Sequence, residues 1–184
     1  MSDVSSVGIT AIPRRLTMAN DLDVLVAGNR HELPEPYVFS STLAGQSKQL
    51  WGTVPKTGQY ELDESQNIIS APFDYLLEVE IESSLAASIR YWEDIAEPAD
   101  PGVALTMYNL NRKVAATRPC PIDFYREPTS SSMVTFVVAD IVEDGGSSVR
   151  SLILKPNSNF FIDMRSLTDG TVFTVKKFVL KCLG

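Results

Sequence analysis

The 184-residue chain contains a single histidine, two cysteines and no apolar run near the roughly 20 residues a membrane helix needs. His31 alone cannot build a two-histidine metal site, and HExxH is absent. No GxSxG elbow accompanies it, so a serine-histidine arrangement has no frame. Gly145-Gly146 lacks the Lys-Ser/Thr and helix that a phosphate loop requires, and it reads as a hairpin turn. Cys120 and Cys182 are too few for a disulfide scaffold and lack metal-ligand spacing. One bridge between them or two buried free thiols remain, and the second suits a cytoplasmic site of synthesis. Met1 to Ile12 lacks the charged start and apolar core of a secretory signal. Basic residues are also in short supply. Sixteen Lys and Arg against 23 Asp and Glu leave a net charge of −7, which argues against a phosphate-neutralising nucleic-acid binder. No long amphipathic helix and no solenoid repeat is discernible.

What is present is strand. Leu77-Glu78-Val79-Glu80-Ile81-Glu82 alternates strictly, placing three apolar side chains on one face and three glutamates on the other. That is the pattern of an antiparallel sheet with one wet face, although the glutamates could instead meet a basic surface. Strands are also predicted at Tyr37–Ser41, Gln49–Thr53, Ser88–Asp94, Pro121–Tyr125, Leu152–Leu154, Phe160–Met164 and Val172–Leu180. Met133–Ala139 is nearly continuously apolar, which suits a strand buried on both sides. Lys56–Gln59 reads as a turn, Glu61–Gln66 as a loop and Met107–Val114 as a polar connection. Short strands every ~8–12 residues, split by turn residues, mark an all-β sandwich or barrel. Residues 1–36 differ. They start polar, close on Glu32-Leu33-Pro34-Glu35-Pro36 and read as an extended N-terminal arm, with a short strand at Asp21–Ala27, ahead of a domain at 37–184.

Candidate chemistry is sparse. Glu93, Asp94, Glu97 and Asp100 cluster, as a hydrolase or calcium loop would require, but Pro98 and Pro101 interrupt them, and a solvated acidic loop is the plainer reading. Most aromatics fit a core. Tyr91 and Trp92 are neighbours in a strand and so point to opposite faces, which puts one of them toward a rim or partner. Trp51 and Trp92 are the candidate sugar-stacking platform. No catalytic residue, metal or cofactor is indicated.

Tyr91 to Arg112 (YWEDIAEPADPGVALTMYNLNR) resembles a pattern in small structural proteins of tailed bacteriophages. Its elements are an aromatic strand ending in an acidic pair, a Gly turn, Ala104-Leu105-Thr106, and Asn109-Leu110-Asn111-Arg112. Phe124–Thr129, Leu152–Ser158 and Phe173–Leu180 continue the likeness over residues 72–183. The resemblance implies a jelly-roll-like β-sandwich and a non-enzymatic virion protein. It would be a capsid decoration protein on the capsid surface, binding the major capsid protein and itself as a homo-oligomer, trimer before dimer. The partner-contacting residues would be Arg14 and Arg15 in the arm, Tyr91, Trp92, Asn109, Asn111 and Arg112. Amide groups and a guanidinium fork suit bridging between loops or subunits, as they also suit a self-satisfied loop. The alternative is a tail- or fibre-associated adhesin binding host glycans.

Overall fold

The computed structural model describes residues 30–33, 36–57, 61–65, 68–71, 74–110, 120–129 and 135–183. Within them every regular element is a β-strand. The strands are β1 (Arg30–Glu32), β2 (Tyr37–Thr42), β3 (Ser47–Val54), β4 (Lys56–Thr57), β5 (Glu61–Leu62), β6 (Ile68–Ala71), β7 (Asp74–Ser83) and β8 (Ala87–Glu93). They continue as β9 (Val103–Leu105), β10 (Tyr108–Asn109), β11 (Phe124–Arg126), β12 (Thr135–Val142), β13 (Ser147–Leu154), β14 (Ser158–Ser166) and β15 (Thr171–Leu183). Two antiparallel sheets face each other as a sandwich. The first runs β10-β1-β15-β7-β13, with β2 also on β15; the second runs β12-β8-β14-β3-β11-β9.

The alternation at Leu77–Glu82 is the inner and outer face of β7. Tyr75, Leu77, Val79 and Ile81 are buried in the core with Ile89, Phe160, Ile162, Met164 and Phe124 of the opposing sheet. Fully burying each such side chain contributes about 2 kcal/mol. The glutamate face is matched by lysines of β15. Glu78 accepts from Lys177 at 2.6 Å and Lys181 at 2.5 Å, and Glu82 pairs with Lys176. Two of the three glutamates are thus met by the chain's own lysines.

β15 organises its sheet. One side pairs with β7 along its length; the other takes β2 at Thr171–Val175 and β1 at Val179–Lys181. A bulge between Val175 and Lys177 changes its parity, so Phe173 and Val175 are buried before it and Phe178, Leu180 and Cys182 after it. β1 lies within the span read as an arm and is flanked by β10 and β15. The predicted strand Asp21–Ala27 falls outside the described residues.

Three sequence expectations change. Lys56–Thr57 and Glu61–Leu62, expected as turn and loop, are short strands on either side of β6 in a small third sheet. Tyr108–Asn109, expected in a polar connection, is β10. The apolar run before Ala139 is not buried on both sides. It enters β12, which pairs only with β8 among the described strands, and Phe136, Val137 and Ile141 are exposed. Cys120 and Cys182 are not joined in a disulfide; burial pushes the Cys120 thiol up to about 12.

Candidate functional site

The outer face of the second sheet carries an aromatic ladder in register. Phe136 of β12 is opposite Trp92 of β8, Trp92 opposite Phe161 of β14, Phe161 opposite Trp51 of β3, and Trp51 opposite Tyr125 of β11. Directly opposed side chains touch, and the rings at both ends do so in favourable geometry. Trp51 and Tyr125 stack at 5.2 Å and 20°, and Trp92 meets Phe136 edge-on at 5.2 Å. The middle is a small second core, in which Trp51, Phe161 and Ile95 are buried. The 94–102 loop brings Ile95 over it. This loop is held by Asn159 Nδ2 donating to the Ile95 carbonyl (3.0 Å) and Trp51 Nε1 donating to the Pro101 carbonyl (2.8 Å). It turns back at Gly102, where φ is +83° and a Cβ would lie 2.2 Å from the Arg126 carbonyl oxygen, so only glycine fits. Beside the ladder, Asp163 is completely buried and accepts from Gln49 (3.1 Å) and Arg90.

At the Tyr125 end lies a cleft of about 250 Å³. Trp51 and Tyr125 form its aromatic wall, and Thr53, Glu97 and Asp123 bring polar groups to it. Burial, with the negative charges of Asp123 and Glu97, raises the Tyr125 hydroxyl above its usual value and keeps it protonated. Neither carboxylate has a Lys or Arg ion-pair partner among the described residues.

The sandwich has two open sides, each made where the chain crosses between sheets. On one, β12 passes to β13 through Glu143–Gly146; here Phe136 and Ile141 are exposed on the outer face of the second sheet, Val137 at a bulge in β12, and Val149 and Ile153 on the outer face of the first sheet. Ile141 is the most open, at 72 %. Asp140 clamps this crossover, accepting from Ser148 Oγ (2.6 Å) and Arg150 Nε (2.8 Å). The Arg150 bonds hold the Asp140 carboxyl below its usual range. At the other side, β9 passes to β10 through Thr106 and Met107, and Val103, Tyr108 and Leu110 are exposed.

The predicted contact residues are not brought together. Tyr91 is buried in the core, with its hydroxyl 3.1 Å from Ser148 Oγ, and burial pushes it up to about 12. Trp92 is half-buried in the ladder, and Asn109 lies in β10 at the opposite open side. Arg14, Arg15, Asn111 and Arg112 fall outside the described residues. The acidic cluster disperses. Asp94 pairs with Lys155 at 2.6 Å, Asp100 accepts from the Gly102 amide at 2.9 Å, and Glu97 lines the cleft. His31 is buried in β1. Among the described residues no group of three or more His, Cys, Asp or Glu is placed to hold a metal ion. Tyr125, Asp123 and the exposed β13 side chains escaped the sequence reading, because only strand register reveals which segments end a sheet or border a cleft.

No family model matches the chain, and no curated protein matches it. Among solved structures, a bacterial lipoprotein from Bacteroides thetaiotaomicron is similar at a TM-score of 0.24 and 11 % identity over 84 % of this chain and 87 % of that one. A likeness at this level carries no argument about either fold or function.

Proposed function

We propose that the protein is a non-enzymatic structural component of a tailed-bacteriophage virion, a decoration protein that binds the major capsid protein and stabilises the head. The observation that carries the reading is that both edges of the sandwich carry exposed apolar side chains, Phe136, Val137 and Ile141 of β12 with Val149 and Ile153 of β13 at one edge, on the outer faces of the two sheets, and Val103, Tyr108 and Leu110 at the other. A protein that cements neighbours needs two separate contact surfaces, and exposed apolar groups at sheet edges favour protein partners. The sequence pattern across Tyr91–Arg112 supplies the virion context, and β9 and β10 of the second side lie within it. In this reading one side meets the capsid and the other a further copy of the chain, a trimer before a dimer.

The test is co-sedimentation of the purified protein with expanded and unexpanded phage heads, beside its Ile141→Lys and Val103→Lys variants. Binding to one head form, weakened by at least one substitution, is expected. Binding to neither form would sink the proposal.

A further inference from the structure

The cleft beside Tyr125 lies at the far end of the aromatic ladder from β12, and the virion reading makes no use of it. Its wall is the Tyr125 ring stacked on the buried Trp51 indole. Its polar groups are mainly acceptors. Glu97 and Asp123 are exposed carboxylates without a Lys or Arg ion-pair partner among the described residues, and they flank the protonated Tyr125 hydroxyl. Thr53 Oγ1 donates to Asn159 Oδ1 at 2.7 Å, so toward a guest it can only accept. A guest must therefore supply hydrogen-bond donors and a flat apolar face. It must also carry no negative charge, because the two carboxylates repel anions.

We propose that this cleft binds a neutral pyranose ring of a glycan. A pyranose has a C–H face that packs on an aromatic ring and an edge of hydroxyls that donate to carboxylates. The cleft, at about 250 Å³, is sized for a single sugar unit rather than a chain. The stacked pair is rigid. Trp51 is fixed to the Pro101 carbonyl at 2.8 Å, so the wall is formed before the ligand arrives. The inference goes beyond the virion reading and stands without it, since a sugar site would serve a head protein and a tail adhesin alike.

Trp51 reports on its own cleft. In the full chain carrying Trp92→Phe it is the one remaining tryptophan, and its emission can be followed while methyl glucoside, methyl galactoside or N-acetylglucosamine is added. A saturable change is expected with at least one of them. Glucuronate or galacturonate, the charged counterparts, should bind at least tenfold more weakly. Tyr125→Ala should abolish the response. Because Tyr125 also packs, the double variant Glu97→Gln/Asp123→Asn is the second arm. Both positions are exposed, the fold is retained, and the gap between neutral and charged sugars should close. The proposal is overturned if no neutral pyranose gives a saturable response, or if the response survives unchanged in both variants. It is equally overturned if only N-acetyl-arginine amide saturates the signal, which would give the cleft to a basic side chain of a protein.

Discussion

Glu78 shows how a single exposed-face residue becomes structural. Hydrogen bonds first from Lys177 and then from Lys181 hold its carboxyl at about 2, against the usual 4.5. The unfolded chain takes up this proton at higher pH than the folded chain does. The stabilisation is therefore complete above the usual value and disappears as pH falls through about 2. Both lysines are partly exposed, so water screens the pair and its worth at neutral pH is about 1 kcal/mol. Glu78→Gln should lower the unfolding free energy from urea titration at pH 7 by that amount, and the difference from wild type should vanish in titrations carried toward pH 2. Much at this scale is legible in the sequence. The alternation around Glu78 gives its face directly, and the opposite facing of Tyr91 and Trp92 follows from strand geometry. Which of those two lies inward is settled by pairing with β12 and β14, segments distant in the chain. The same holds for Asp163, whose burial depends on Arg90 and Gln49 from two other strands.

Among the strands, β15 and β12 mark the reach of pattern reading. The sequence Phe173-Thr174-Val175-Lys176-Lys177-Phe178 breaks strict alternation, and the structure resolves the break as a bulge that keeps apolar side chains inward on both halves. Deleting Lys176 would remove the extra residue and restore continuous alternation, with Phe178, Leu180 and Cys182 still inward and opposite the same β7 partners. It should cost no more than about 1 kcal/mol, measured by denaturant unfolding, whereas deleting Thr174, which lies in a regular stretch, should cost several times as much. In β12 the apolar run was legible, but its environment was not. A strand covered on both faces and an edge strand with an apolar outer face read identically, because the difference lies in what packs beside them. The short strands β4, β5 and β10 were missed because two residues are too few to show a period.

Over the whole molecule, short strands split by turn residues point to a sandwich or barrel, and the structure is a sandwich. The two open sides were not announced, since they exist only once the order of strands in each sheet is known. They sit at opposite ends of both sheets and share no side chain, so their contributions should be independent. One of Val103→Lys and Ile141→Lys should weaken head binding by roughly 1–2 kcal/mol and the other should weaken self-association instead, and the double variant should show both losses. Neither substitution should move the unfolding midpoint appreciably, because both side chains project into solvent. A double variant no weaker in head binding than one single would assign the silent side to contacts between copies.

The pairing of β1 with β15 also sets how the protein bears load. Arg30 is opposite Lys181 and Glu32 opposite Val179, so the start of the first strand and the end of the last lie side by side in antiparallel register. Tension applied between these two points would peel β1 from β15 one hydrogen bond at a time, the geometry that resists force least. Tension applied at Ile141 and Val103 would instead leave this pairing out of the line of force, because both residues lie in the second sheet. A molecule anchored by its sides keeps β1 in place, whereas the same molecule tethered by the ends of these two strands opens like a zip.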